Sequence, residues 1–311
     1  MKNRKKIFII SLIVISVIAV IALPYLGDTR PGRAPKRVDE DRVVVIKLTG
    51  AIQESVGGFF AGGIAPDQVY HQLQLAAEDQ NIKGVVLRIE SPGGSIAASQ
   101  SIAAMVREFE KPIVVSMADM AVSGGYYISA PAQGIVAHPG TMTGSIGVIS
   151  TFMDMEGLYE MLGIEVEIIK SGEHKDMFSR SLTEEERKLM QDLSDEAYKQ
   201  FITEVAEGRG MDVAEVRRAA TGEIFLGSQA LELGLIDRLG GIDEAIEYLA
   251  EMNDLEKPVR YEFPPPSMFD QLFGYGYSVL VTIEKVFTDP RVILLEKLRD
   301  GVPPDIRYQI R

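Results

Sequence analysis

The feature that most constrains this chain is a repeated change of apolar period between residues 41 and 170. Short runs rich in Val and Ile alternate with stretches whose apolar residues recur every three or four positions, the respective signatures of strands and helices. Residues 41–52 have strand composition, and 66–79 carry Val69, Leu73 and Ala76 at helical spacing behind Pro66. Residues 82–90 read as a buried strand, SPGG as a sharp turn, 95–109 as a helix and 112–117 as the next strand. The alternation continues through 123–130, 134–139, 145–150, 153–162 and 165–170. Such a chain is an α/β protein assembled from right-handed crossover units. Beyond 170 the pattern turns helical. Thr183 and Glu186 form a capping box opening a helix over 184 to about 207, and 212–220, 228–234 and 242–252 predict three shorter ones.

The ends of the chain are different. MKNRKK precedes seventeen residues, 7–23, in which only Ser11 and Ser16 are polar. The twenty residues 7–26 would span about 30 Å as a helix, the thickness of a bilayer's hydrocarbon core. The run exceeds the roughly 7 to 15 apolar residues of a secretory signal core, so an uncleaved transmembrane anchor is expected rather than cleavage after Ala22. Lys2, Arg4, Lys5 and Lys6 favour a cytoplasmic N-terminus and an extracytoplasmic body, although Arg30, Arg33, Lys36 and Arg37 follow the span. The expected organisation is an anchor over 1–26, a linker over 27–40, an α/β domain over 41–255 and a C-terminal tail over 256–311. That tail holds three consecutive prolines and an apolar stretch, 273–287, too interrupted for a second span. It is expected to pack on a neighbouring subunit, on the membrane or on its own domain.

Composition removes several classes of function. A net charge of −13 repels phosphate backbones and argues against nucleic-acid binding. The absence of cysteine removes thiol nucleophiles, disulfides, iron–sulfur clusters and cysteine-ligated zinc. His71, His138 and His174 are the only histidines, and no HExxH is present.

A nucleophile needs exposure, activation and hydrogen-bond donors for the oxyanion it creates. Ser123, in AVSGGYY, sits between a strand and a helix, and Gly124 and Gly125 let a substrate backbone come close; the same serine would make an ordinary helix N-cap. ESPGGS ends the strand 82–90, where α/β sheets collect ligands, and Gly94 would present an amide there; Pro92 also suits a plain turn. Ala121 breaks a GxSxG elbow, which weakens a Ser-His-Asp triad without removing His138 and His174 from consideration. A lysine can act as base if burial disfavours its ammonium form, and Lys170 and Lys175 are the candidates. Glu173 and Asp176 must then point away from Lys175.

Taken together, the anchor, LRIESPGGS, SMADMAVSGGYYISA, GTMTGSIGV and KSGEHKDMFSRSLTEEE resemble, in order and over roughly 200 residues, the signal peptide peptidase A family of membrane-bound serine peptidases in its short, single-core form. The resemblance implies an α/β core of the Clp protease and crotonase type, with an N-terminal transmembrane helix and a helical C-terminal part, assembled as a ring or dome. It also implies a Ser/Lys dyad: Ser123 as nucleophile, Lys175 as base in place of Lys170, Ser145 holding the lysine amine, and Gly94 and Gly124 as oxyanion donors. Val122 stands where alanine is frequent in the family. Remnant signal peptides and other extended apolar peptides are the implied substrates, the lipid bilayer and further copies of the chain the implied partners, and no metal or organic cofactor is required. Rival expectations are a crotonase-like acyl-CoA enzyme, a non-catalytic membrane scaffold and a stomatin-directed membrane protease of the same fold.

Overall fold

The Val- and Ile-rich runs form a largely parallel sheet. The computed structural model describes residues 40–55 and 62–264; the expected anchor and linker up to residue 39, part of the glycine-rich loop 56–63 and the tail from 265 onward lie outside the described residues. Strands β1 (Arg42–Thr49), β2 (Ile82–Ser91) and β3 (Ile113–Val122) are joined by helices α1 (Pro66–Glu78) and α2 (Ile96–Glu108). β4 (Gly134–Ala137), β5 (Met142–Gly144), β6 (Ile224–Leu226), β7 (Arg238–Leu239) and β8 (Val259–Tyr261) complete the described sheet in the order β6-β5-β3-β2-β1-β8, with β4 pairing both β3 and β7. The β5–β6 pair is antiparallel and the other described pairs are parallel.

Parallel strands covered on both faces need apolar side chains on both, which is why β1 buries Val43, Val44, Val45 and Ile46 in succession. One face receives helix α8 (Ile242–Met252), whose Ala245 and Leu249 pack on Val43, Val45, Val86, Val114 and Val136. Between β3 and β4 runs the short α3 (Gly124–Ser129), all six of its residues buried, and its Tyr126 hydroxyl donates to the Leu235 carbonyl at 2.8 Å. The long α5 (Glu184–Arg209) opens on the expected capping box: Glu186 N–H donates to Thr183 Oγ1 at 3.2 Å, and Thr183 N–H donates to Glu186 Oε2 at 2.9 Å. Its C-terminal half buries Phe201, Ile202, Val205 and Ala206. Helices α6 (Val213–Ala219) and α7 (Gly227–Glu232) follow.

Two expected strands do not form. Residues 145–150 leave the sheet because the pairing with β3 is taken by β5, after which Ser145 turns the chain with φ of +50°. Residues 165–170, which alternate Val166, Ile168 and Ile169 with charge, have no partner strand among the described residues, and Ile169 is 93% exposed. A strand without a ladder leaves its peptide groups to water. Helix α4 (Glu156–Leu162), between these segments, buries none of its residues. At the other edge β8 pairs with β1, so the sheet continues into the segment expected as tail. Among the described residues no helix is long and apolar enough to cross a membrane.

Candidate active site

The site grows from two strand ends. Where β2 finishes, buried Ser91 donates from Oγ to the Gly50 carbonyl at 2.7 Å and accepts the Gly93 N–H at 3.1 Å, which folds the SPGG turn. Ile52 clamps that turn by donating to the Gly93 carbonyl at 2.9 Å and accepting the Ser95 N–H at 2.8 Å. Position 94 must be glycine, since a Cβ there would stand 2.0 Å from the Ile52 carbonyl oxygen. The Gly94 N–H has no hydrogen-bond partner among the described residues.

Where β3 finishes, Ser123 takes φ of +53° and ψ of −122°, a conformation that costs a non-glycine residue about 1–3 kcal/mol and that collects at functional sites. Its backbone is held at both ends: the N–H donates to the Gly144 carbonyl and the carbonyl accepts the Tyr127 N–H, each at 2.9 Å. Although Ser123 occupies the N-cap position of α3, its hydroxyl makes no capping bond. The side chain is thus not used as a cap. Gly124 lies against the SPGG turn: a Cβ on it would stand 3.2 Å from the Gly94 nitrogen and 2.6 Å from Ser99 Oγ. Gly94, Ser99, Ser123 and Gly124 line one cleft, whose apolar walls include Ile96 and the Tyr127–Phe201 ring pair at 4.9 Å. Ser145 follows the Gly144 that accepts the Ser123 N–H, and is anchored by donation to the Glu223 carbonyl at 2.7 Å. Ser123 and Ser145 thus sit on adjacent strand ends, both half-buried and both with positive φ.

Lys175 is placed differently. It lies on an exposed turn, its N–H 3.4 Å from the Gly172 carbonyl, and its amine has no partner among the described residues. It does not line the cleft at Ser123. The other lysine is engaged, since Lys170 Nζ donates to the Glu173 carbonyl at 2.8 Å and to Asp176 Oδ1 at 2.7 Å. None of the three histidines lines the cleft: His71 and His138 are exposed, and His174 Nδ1 lies 3.3 Å from Glu186 Oε1.

Comparison with known proteins bears directly on this arrangement. The model of peptidase family S49 matches residues 106–256, and that of Clp protease matches residues 60–142. Over 244 residues the chain is 41% identical to a putative signal peptide peptidase SppA of Enterococcus faecium, covering 76% of this chain and 71% of that one. The chain belongs to peptidase family S49. It is therefore a serine peptidase of the SppA kind. It is also 35% identical over 235 residues to Protease 4 of Salmonella typhi, matching 74% of this chain but spanning only 38% of that longer protein. Among solved structures, the 1510-N membrane-bound stomatin-specific protease superposes with a TM-score of 0.51 at 16% identity, covering 73% of this chain and 99% of its own. That likeness establishes the shared Clp-type fold.

In this S49 peptidase some residues that shape the site escaped the sequence reading. Ser91 and Ser99 are buried serines whose hydroxyls bond backbone carbonyls, of Gly50 and of Ser95 at 2.8 Å. A serine directly before a PGG turn is the one local signal that points to Ser91. Around Lys175, Asp176 is bound by Lys170 and by Arg180, and Arg180 also binds Glu186. The Lys170 ammonium, followed by the Arg180 guanidinium, holds the Asp176 carboxyl down at about 2. Arg180 first, and the Thr183 N–H second, hold Glu186 well below the usual carboxylate range. Glu186 is visible in the sequence as a cap, but its second role at Arg180 is visible only in the fold.

Proposed function

We propose that this chain is a membrane-anchored serine endopeptidase that works by a Ser/Lys dyad on remnant signal peptides and similar extended apolar peptides. Neutral Lys175 takes the proton of the Ser123 hydroxyl as Oγ attacks the scissile carbonyl carbon. The Gly94 and Gly124 N–H groups donate to the oxyanion, and Ser145 holds the lysine amine. As the tetrahedral intermediate collapses, the lysine returns its proton to the leaving amine, and water then hydrolyses the acyl-enzyme by the reverse proton path. Loss of one oxyanion donor would raise the barrier by about 2.7–4 kcal/mol. The mechanism calls for no metal or organic cofactor.

The observation that carries this reading is Ser123 itself: a non-glycine residue in a strained conformation, its hydroxyl not used for capping, in one cleft with the unpartnered Gly94 N–H. The exposed position of Lys175 adds a condition. An ammonium in water is a poor base at neutral pH, so the lysine must be covered to work. The segment around it, 149–178, exposes Ile149, Met153, Met161, Leu162, Ile169 and Phe178, more apolar surface than a soluble face needs. A homo-oligomer that covers this segment would withdraw Lys175 from water, and the apolar residues 7–26 would hold the assembly at the bilayer with its peptidase domain outside the cytoplasm. The stomatin-directed alternative draws on fold likeness at 16% identity, which carries no substrate.

The test is hydrolysis of a synthetic signal peptide by the full chain in detergent, with Ser123→Ala and Lys175→Ala assembled alongside. Cleavage lost in both variants is the expected outcome. A wild-type protein that assembles but cuts no apolar peptide would move the reading to the non-catalytic scaffold.

A further inference from the structure

The residue next to the proposed base is an anion. Asp176 follows Lys175 directly, and an aspartate paired with that lysine would stabilise the ammonium and withdraw the base. In the structure both Asp176 oxygens are occupied elsewhere. Oδ1 accepts from Lys170 Nζ at 2.7 Å and from Arg180 Nη2 at 3.1 Å, and Oδ2 accepts from Arg180 Nε at 3.0 Å. Arg180 is itself fixed from the far side, donating from Nη1 to Glu186 Oε2 at 2.8 Å and to the Ser181 carbonyl at 2.9 Å, and from Nη2 to Glu186 Oε1 at 2.9 Å. Glu186 is buried and also caps α5 through the Thr183 N–H, so the guanidinium bridges a helix N-terminus and the Lys175 turn with its planar fork.

The remaining charges near the turn are accounted for. His174 faces Glu186, Asp154, which precedes α4, accepts from the Ser181 hydroxyl, and the Glu173 side chain is exposed while its carbonyl accepts Lys170. Phe178 stacks on Phe152 at 5.8 Å, which adds an apolar tether on the same side. Lys170 and Arg180 together balance the charges of Asp176 and Glu186 around the turn that carries Lys175.

We propose that Arg180 is a positioning residue of this peptidase, holding the Asp176 carboxylate off the Lys175 amine and fixing the base-bearing turn to the start of α5. The inference rests on the Ser/Lys reading above. It differs from a purely structural role for Arg180 in predicting a change in the pH dependence of the rate.

The experiment follows kcat/KM against pH for the full chain in detergent micelles, with an internally quenched apolar peptide as probe. Arg180→Gln leaves Asp176 held by Lys170 at Oδ1 alone and frees Oδ2 to pair with the ammonium of Lys175, so the rising acid limb moves upward by about one pH unit. At a pH on that limb kcat/KM falls about tenfold, and it converges with wild type on the alkaline plateau. Adding Asp176→Asn to Arg180→Gln removes the released charge and returns the limb, and Arg180→Lys keeps most of it in place. An Arg180→Gln profile that superposes on wild type, or one lowered equally at every pH, overturns the inference. If Arg180→Gln alone fails to fold, the double variant decides: a wild-type limb supports the proposal, and an inactive or unfolded protein assigns the network to structure only and overturns it. Ser123→Ala and Lys175→Ala, run beside these, separate the two levels. Activity surviving in either removes the dyad and this inference with it, whereas activity lost in both with an unmoved Arg180→Gln profile removes this inference alone.

Discussion

Two regions of the molecule contribute to the site, and they are built on opposite principles. The frame of β2, β3 and α3 holds Ser123, Gly94 and Gly124 chiefly through buried apolar packing and backbone hydrogen bonds, its charged groups Arg88 and Glu90 bonding β3 upstream of the site, at Ser116 and Met117 and at Asp119 and Met120. The segment from 145 to 181 carries Ser145 and Lys175, buries little, forms no strand, and is held around Lys175 by ion pairs and one aromatic stack. The first region is formed within one chain, so on the proposed mechanism its chemistry would be preorganised by the fold. The second carries an amine with no partner among the described residues on a segment with exposed apolar side chains, so on the proposed mechanism its chemistry would depend on being covered. A peptidase divided in this way would have a formed nucleophile and oxyanion site before assembly and a working base only after it.

The sharpest way to break that contrast is to remove one chemical group from each region. Ser123→Ala and Lys175→Ala are each expected to lower kcat/KM by about 10⁴-fold or more, since members of a nucleophile and base unit cost nearly as much singly as together. Circular dichroism and sedimentation should match wild type. Substantial cleavage by Lys175→Ala would mean that the exposed region contributes no base. Next in size is Gly94→Ala, whose Cβ would overlap the Ile52 carbonyl at 2.0 Å and push the Gly94 N–H out of place. A drop of about 10²–10³-fold in kcat is expected, the size of one lost oxyanion donor; a near-normal kcat would show that this amide does not face the oxyanion.

A smaller effect addresses the exposed region. Ile169 is 93% and Met161 85% exposed, so Ile169→Asp and Met161→Asp should leave the thermal midpoint of the isolated subunit unchanged. If assembly covers this surface, the same variants shift sedimentation toward smaller species and lower activity by about tenfold, an aspartate being costly to bury unpaired. Unchanged sedimentation with unchanged activity would mean that the segment stays in water in the working enzyme.

The same division explains what was legible in the sequence. The strands β1 to β3, helices α1 and α2 and the capping box at Thr183 could be read because burial imposes a period and a cap imposes a residue pair. The expected strands at 145–150 and 165–170 share the β-branched content of those strands, but composition does not say whether a partner strand is in reach, and β5 had already taken the edge of β3. At the site, SPGG and SGG were legible as sharp strand-end turns. The strained dihedrals of Ser123 and Ser145, the clamp of Ile52 on the turn and the Arg180 bridge join residues distant in sequence or depend on backbone angles, neither of which leaves a local pattern.

The smallest expected effect separates the regions by acid. Asp176, held at about 2 by Lys170 and Arg180, and Glu186, held low chiefly by Arg180, both ionise more readily in the folded protein than in an unfolded chain. A carboxylate whose folded value is depressed contributes stability above its unfolded value, near 4, and loses that contribution as pH falls through the folded value. The anchorage of the Lys175 turn should therefore be complete at pH 5 and weaken progressively between about pH 4 and pH 2. Beyond the Glu90 carboxylate, which accepts the Asp119 and Met120 N–H groups on β3, the Ser123 frame over 121–130 rests on apolar burial and peptide hydrogen bonds that carry no proton at these pH values. Hydrogen-exchange protection factors at pH 5 and pH 3 make the comparison directly: protection over 172–186 should fall at the lower pH while that over 121–130 holds. Equal loss in both would mean that acid acts on the whole fold, and full retention over 172–186 would mean that the turn is held by the Phe152–Phe178 stack rather than by its ion pairs.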